Sequence, residues 1–320
     1  MAAGGSSRAI IAALLANLGI AAAKFVGFLL TRASSMLAES VHSLADSGNQ
    51  GLLLLGGRRA EREPTQTHPF GYGRERYFWS FVVAVVLFAL GSLFALYEGF
   101  EKLRDPHELE SPLIAAGILM VGIVLEAFSF RTAVVEARHV KGTESWWQFI
   151  RRSRNPELPV VLLEDLGAMI GLVLALGAVG LAAGIGDPRY DAYGTLTIGV
   201  LLGIISVILA IEMKSLLVGE GASASHLDVI SAAITADERV LELLHLQTQH
   251  LGPDELLVAG KVALTPSLDF GQVVDTIDDA EGRVRQALPI ARVIYLEPDR
   301  SDEGQRPSEG SEEERVVPKA

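Results

Sequence analysis

The residues best equipped for chemistry stand where lipid is expected. Glu39, His42 and Asp46 fall within SSMLAESVHSLADSGNQ, Ser34 to Gln50, between two long apolar runs. In a helix, a step of three residues and then one of four keeps these side chains within about 60° of arc. Asn49 extends the stripe, while Met36, Leu37, Val41, Leu44, Leu52 and Leu53 occupy the other faces. A second acidic pair, Glu164 and Asp165, lies inside VVLLEDLGAMIGL. A carboxylate at the bilayer centre costs roughly 2.5–3.5 kcal/mol to insert, so several together need compensation. A divalent cation supplies it: carboxylate oxygen and neutral imidazole suit a borderline ion such as Zn²⁺ in a four-coordinate site. The spacing of His42 and Asp46 lets one helix give two ligands to one side of the ion. Asp165 lies about 10 Å from the start of its helix and Asp46 about 15 Å from the end of its own, so their depths match. Two other readings stay open. His42 and Asp46 can hydrogen-bond to each other and glue helices together, or the acids can form a proton relay without metal. Glu39 is open between a structural hydrogen-bonding role and a ligand role. Glu126 and Arg131, five residues apart in another apolar run, read as bridges between neighbouring helices and not as ligands.

The elements that must hold these groups follow from hydropathy. Six runs are long enough to span a hydrocarbon core of about 30 Å: Ala9–Leu30, Ser35–Gly56, Tyr77–Gly99, Pro112–Val135, Leu158–Ala183 and Tyr193–Met213. Residues 1–213 are therefore expected to form a six-helix transmembrane bundle. The first run shows no convincing cleavage site and is read as a membrane helix. Arg58, Arg59, Arg62, Arg74 and Arg76 fill one connection, and Arg138, Lys141, Arg151, Arg152 and Arg154 another. The alternate connections carry only Arg32, then Lys102 and Arg104, then Arg189. An even number of spans with this bias puts both termini in the cytoplasm, and a bacterial inner membrane is the expected setting. In NPELP, Asn155 can cap the fifth span, Pro156 suits its first position and Glu157 suits the helix dipole.

After Met213 the composition becomes that of a soluble domain, residues 214–298. SASHLDVISAAITA reads as an amphipathic helix. VLELLHLQTQHLG and ELLVAGKVALTP read as strands joined by a tight turn at Gly252, Pro253 and Asp254. A helix with apolar positions at Val273, Val274, Ile277, Ala280 and Val284 follows, then a last strand, ARVIYLEPD. The order α-β-β-α-β points to a small α+β, ferredoxin-like domain. Residues 299–320 are rich in Glu, Ser, Gly, Arg and Pro and read as a disordered acidic tail.

A net charge of −12 argues against nucleic acid as a partner. The chain has no cysteine, which removes disulfides and thiolate ligands. No prosthetic group is implied. An enzyme is disfavoured, because no second acid–base group stands at a helix mouth and there is no lid.

These residues resemble the cation diffusion facilitator family. SSMLAESVHSLADSGNQ looks like its second-helix signature, and HPFGYGRERYFWS, His68 to Ser80, like its loop into the third helix. GLVLALGAVGLA after Asp165, DAYGTLTIG at the start of the sixth span and the small terminal domain also fit. The resemblance runs from about Ser7 to Asp299 and implies a homodimeric, proton-coupled exporter of zinc or related divalent ions. It carries three transport-site ligands onto His42, Asp46 and Asp165. Val161 stands where the family places His or Asp, so Glu164, Glu39 or water is expected to complete the shell. Glu164, about 100° round the helix from Asp165, needs a bent helix or a different partner to point inward. His68 matches a further family ligand, but Thr65 and Tyr72 hold its partners' places. His245 and His250 read as ordinary strand residues. Alternating access around a midplane site is the expected mechanism, with protons and metal competing for the same donors and His42 the best proton carrier. The rival is a non-transporting membrane scaffold or metal sensor working through the terminal domain.

Overall fold

The computed structural model describes residues 2–31, 34–106, 112–143 and 145–300; the side chains of residues 2–8, 24, 27, 28, 30, 31, 34–42, 45, 46, 87, 88 and 152 are outside the description. The expected tail beyond residue 300 lies outside the described residues. Two compact units make up the chain: Met1–Glu220 with Leu251–Asp254, and Gly221–His250 with Glu255–Ala320.

The first unit is helical. It contains α1 (Ala2–Thr31), α2 (Ser34–Ala60), α3 (Glu75–Val86), a π-helical turn (Leu87–Ser92), α4 (Leu93–Arg104), α5 (Pro112–Lys141), α6 (Trp146–Arg152), α7 (Glu157–Ile185) and α8 (Arg189–Val218). Among the described residues, four stretches are long and apolar enough to cross a bilayer: Glu75–Arg104, Pro112–Lys141, Glu157–Ile185 and Arg189–Val218. In α1 the described apolar stretch is shorter, Ala9–Ala23.

Helix ends follow local chemistry. α5 closes on Arg138, His139 and Lys141, cations that suit the negative end of a helix dipole. Ser145 and Gln148 form a capping box on α6. The expected cap of α7 is displaced by one residue. Pro156 is the N-cap and makes no side-chain cap bond, because proline has no side-chain acceptor. Asn155 is tied instead to Ser153, whose Oγ donates to the Asn155 carbonyl at 2.9 Å. Glu157 is buried and does more than complement the dipole: both of its oxygens accept from Arg76, Nη2 to Oε2 at 2.7 Å and Nε to Oε1. Gly186 ends α7 with φ +77°, a left-handed conformation suited to glycine.

Glycines let α4 and α8 approach closely. A Cβ on Gly99 would lie 2.7 Å from Leu196 Cγ, and one on Gly199 would lie 2.9 Å from the backbone nitrogen of Leu96. α4 and α8 thus offer each other a glycine and a leucine reciprocally, the small-residue packing that brings membrane helices together. Beside it, Ser92 Oγ at the end of the π-helical turn donates to the Gly199 carbonyl at 2.7 Å. The core of the unit includes Tyr77, Leu158, Val160, Val161, Leu209 and Met213.

The second unit runs α9 (Ala224–Ile234), β1 (Val240–Gly252), β2 (Glu255–Leu264), α10 (Phe270–Ala287) and β3 (Ala291–Asp299). This is the expected element order. The sheet order is β1-β2-β3, with β2 and β3 parallel from Leu256↔Ala291 to Ala263↔Asp299. The tight turn from β1 makes its pairing with β2 antiparallel, so this small sheet is mixed. Leu256, Val258 and Val262 alternate inward on β2 and meet Ile230, Ile234, Ala280, Val284 and Ile294. One expected core position fails: Val274 is exposed, and the buried line of α10 is Thr276, Ala280 and Val284. The four-residue spacing of that line turns the 274 position toward water.

Candidate cation site

Glu39, His42 and Asp46 belong to α2, and their side chains lie outside the described residues. Asn49, the last member of their stripe, is described. It is 2% exposed, and its Nδ2 donates to Glu164 Oε1 at 3.0 Å. The next residue, Gln50, is fully buried and accepts from Asn17 Nδ2 of α1 at 3.3 Å. Asn49 and Gln50 therefore face the interior of the helical unit.

α7 supplies the opposing groups. Every residue from Glu157 to Asp165 is buried. Such enclosure explains why the run is so apolar, and it makes the two acids conspicuous. Glu164 reaches α2 through Asn49. Asp165, 2% exposed, accepts at Oδ2 from Ser129 Oγ of α5 at 2.7 Å. Adjacent residues on a helix diverge by about 100°. Here that divergence sends one carboxylate to each neighbouring helix. Glu164 needs no bend in α7, which is continuous from Glu157 to Ile185. Val161 is fully buried in the apolar core and offers no donor atom.

Ser129 and the buried polar line of α5 were not anticipated from the sequence. Gly122, Glu126, Ser129, Ala133 and Ala137 form its buried line, a stripe of small and polar residues at spacings of four, three, four and four. Arg131 is exposed, on another side of the helix, so it does not share a face with Glu126. The stripe itself was the available signal. Among the described residues, no three His, Asp or Glu side chains gather closely enough to hold a metal ion.

The other candidates separate. In the loop between α2 and α3, His68 Nδ1 lies 3.1 Å from Thr67 Oγ1, and its ring packs on Tyr72 at 4.6 Å. Thr65 Oγ1 lies 3.2 Å from the Tyr72 hydroxyl. That loop is a network of hydroxyls and one imidazole. His245 is exposed and His250 buried on β1, five residues apart and so on opposite faces of a strand.

Residues 10–218 match the family model of the cation efflux transmembrane domain. The chain is 33% identical over 255 residues to "Proton-coupled zinc antiporter SLC30A9, mitochondrial" of Mus musculus, covering 78% of this chain and 44% of the relative. It is 28% identical over 272 residues to "Metal tolerance protein C4" of Arabidopsis thaliana, covering 84% and 58%. It is also 29% identical over 174 residues to "Zinc transporter ZitB" of Pectobacterium atrosepticum, covering 54% and 49%. The chain spans about half the length of these relatives. The mouse relative is named mitochondrial, so a bacterial inner membrane gains no support from it.

Proposed function

The chain belongs to the cation efflux family, and from that premise we propose that it carries a divalent metal cation, zinc foremost, across its membrane in exchange for protons. The observation that carries this reading is the buried acidic pair of α7, with Glu164 bonded to α2 and Asp165 to α5. It joins three helices at a depth where an uncompensated carboxylate is expensive. Relatives named a proton-coupled zinc antiporter, a metal tolerance protein and a zinc transporter support the same reading.

In this proposal His42 and Asp46 of α2 and Asp165 of α7 hold the cation, and Glu164 and Glu39 are the further carboxylates able to complete its shell. Each ligand must be deprotonated to bind, so protons and cargo compete for the same atoms. Rocking of helices around a fixed site exposes it to one side and then the other. The architecture we propose is a six-helix bundle of α1, α2, the α3–α4 span, α5, α7 and α8. A ferredoxin-like domain follows, both termini lie on the cytosolic side, and the assembly is a homodimer.

The test is a zinc gradient across liposomes containing the purified protein and a pH-sensitive dye. Zinc-driven proton movement that vanishes in His42→Ala and in Asp165→Asn is expected. Unchanged flux in either variant removes that residue from the site. Zinc binding without any proton movement by the intact protein would favour the sensor or scaffold.

A further inference from the structure

We propose that α5 is a third wall of the cation site: Glu126 donates a carboxylate to the cargo, and Ser129 is a positioning residue that orients Asp165. The inference rests on the transport reading above and adds two residues to it.

α5 and α7 run antiparallel, and two contacts fix their alignment. Ser129 meets Asp165, and seven residues earlier on α5 a Cβ on Gly122 would meet Leu172, seven residues later on α7, at 3.4 Å. Glu126 lies between these two contacts on the same buried line and is 4% exposed. α2 also runs antiparallel to α7. Asn49 meets Glu164, while a Cβ on Gly56 would crowd Trp79, one turn along α3 from the Arg76–Glu157 pair that marks the start of α7. Glu126 is three residues from Ser129, and Asp46 is three residues from Asn49. Both steps run the same way, by about 4.5 Å at 1.5 Å per residue. Glu126 therefore reaches the level of Asp46, just beyond Asp165, on the face of α5 that α7 covers.

The chemistry fits that place. Val161 leaves a donor missing from α7 on one side of Asp165, and Glu126 of α5, on the other side of Asp165, offers a carboxylate in its stead. Ser129 donates to one oxygen of Asp165 and leaves the other for the cation, the usual work of an outer hydrogen bond on a ligating carboxylate. Asn49 Oδ1, buried beside Glu164, has no hydrogen-bond partner among the described residues and is a further acceptor facing this polar region.

The test measures zinc transport by the full chain in liposomes as KM and maximal rate, alongside size-exclusion profiles in detergent. Glu126→Gln and Ser129→Ala are each expected to raise the KM for Zn²⁺ by about tenfold or more, with a much smaller change in maximal rate. Ser129→Thr, which keeps the hydroxyl, is expected to restore a KM near that of the native protein. A Glu126→Gln KM within about twofold of native overturns the proposal for Glu126. Equal impairment in Ser129→Ala and Ser129→Thr overturns the positioning role, since packing and not the hydroxyl would then matter. If Glu126→Gln does not give a monodisperse protein, Glu126→Asp decides: a shortened ligand raises KM, and a native KM refutes ligation. Asp165→Asn separates the two levels. If it still transports, the parent reading fails and takes this inference with it. If it is dead while Glu126→Gln is normal, this inference alone fails.

Discussion

Asn49 and Asp237 make different uses of a polar side chain. Asn49 gives Glu164 a donor inside the helical unit. Leaving a buried polar group without its hydrogen-bond partner costs roughly 1–3 kcal/mol. Asn49→Ala is therefore expected to lower stability by about 1–3 kcal/mol, read as an earlier melting transition in detergent. An unchanged melt would mean that Glu164 finds an equal partner. Asp237 sits near water in the second unit. Hydrogen bonds from Arg239 to its side chain, with Arg283 close by, hold its carboxyl well below the usual carboxylate range. A depressed folded pKa contributes stability above the unfolded value, about 4, and that contribution is lost as pH falls below it. The second unit is expected to lose stability on acidification from about pH 5 to about pH 3, and Asp237→Asn should flatten that part of the profile. Melting temperatures of the two proteins across that range check it.

At the level of elements, the glycine–leucine exchange between α4 and α8 makes the sharpest prediction. A Cβ at 199 meets backbone at 2.9 Å, and backbone cannot swing away as a side chain can. Gly199→Ala should force the helices apart and cost about 1–3 kcal/mol, the usual range for overpacking. Gly117 has nothing within 4 Å of such a Cβ, so Gly117→Ala is the control and should leave the melting temperature unchanged or slightly raised. Equal effects at the two sites would refute the close approach. The π-helical turn at Leu87–Ser92 adds a second irregularity in the same neighbourhood. Such turns recur at functional positions in membrane helices and elsewhere. Its hydroxyl contact to Gly199 gives it a structural anchor.

For the whole molecule, the distribution of positive charge is the strongest guide to orientation. The chain has no cysteine, so single introduced thiols report sidedness without a background. Gln66→Cys in the α2–α3 loop and Ser153→Cys in the α6–α7 connection are expected to react with a membrane-impermeant maleimide from one side. Asp187→Cys, between α7 and α8, should react from the other. Labelling of all three from the same side would overturn the proposed arrangement of spans. Light scattering of the detergent-solubilised protein tests the proposed homodimer, and a monomer mass would remove it.

Much of the molecule was already legible in its residues. Apolar length marked the four stretches that are long and apolar enough to cross a bilayer among the described residues. Period-two and helical patterning marked the five elements of the second unit, and their order was the one observed. Those signals are local: each depends on residues close together in the chain. The spacing of His42, Asp46 and Asn49 makes one polar stripe the expectation, because a helix converts spacing into direction; of the three side chains only that of Asn49 is among those described, and it is buried. What needed tertiary structure was which helix each polar group meets. Glu164 turns to α2 and Asp165 to α5 because neighbours on a helix diverge, and only packing decides what stands in each direction. Glu126 and Arg131 both read as bridges between neighbouring helices, and only burial put the two on different sides of α5. Ser129 carries no signal of its own in an apolar run; the carboxylate it bonds lies on another helix, 36 residues away along the chain.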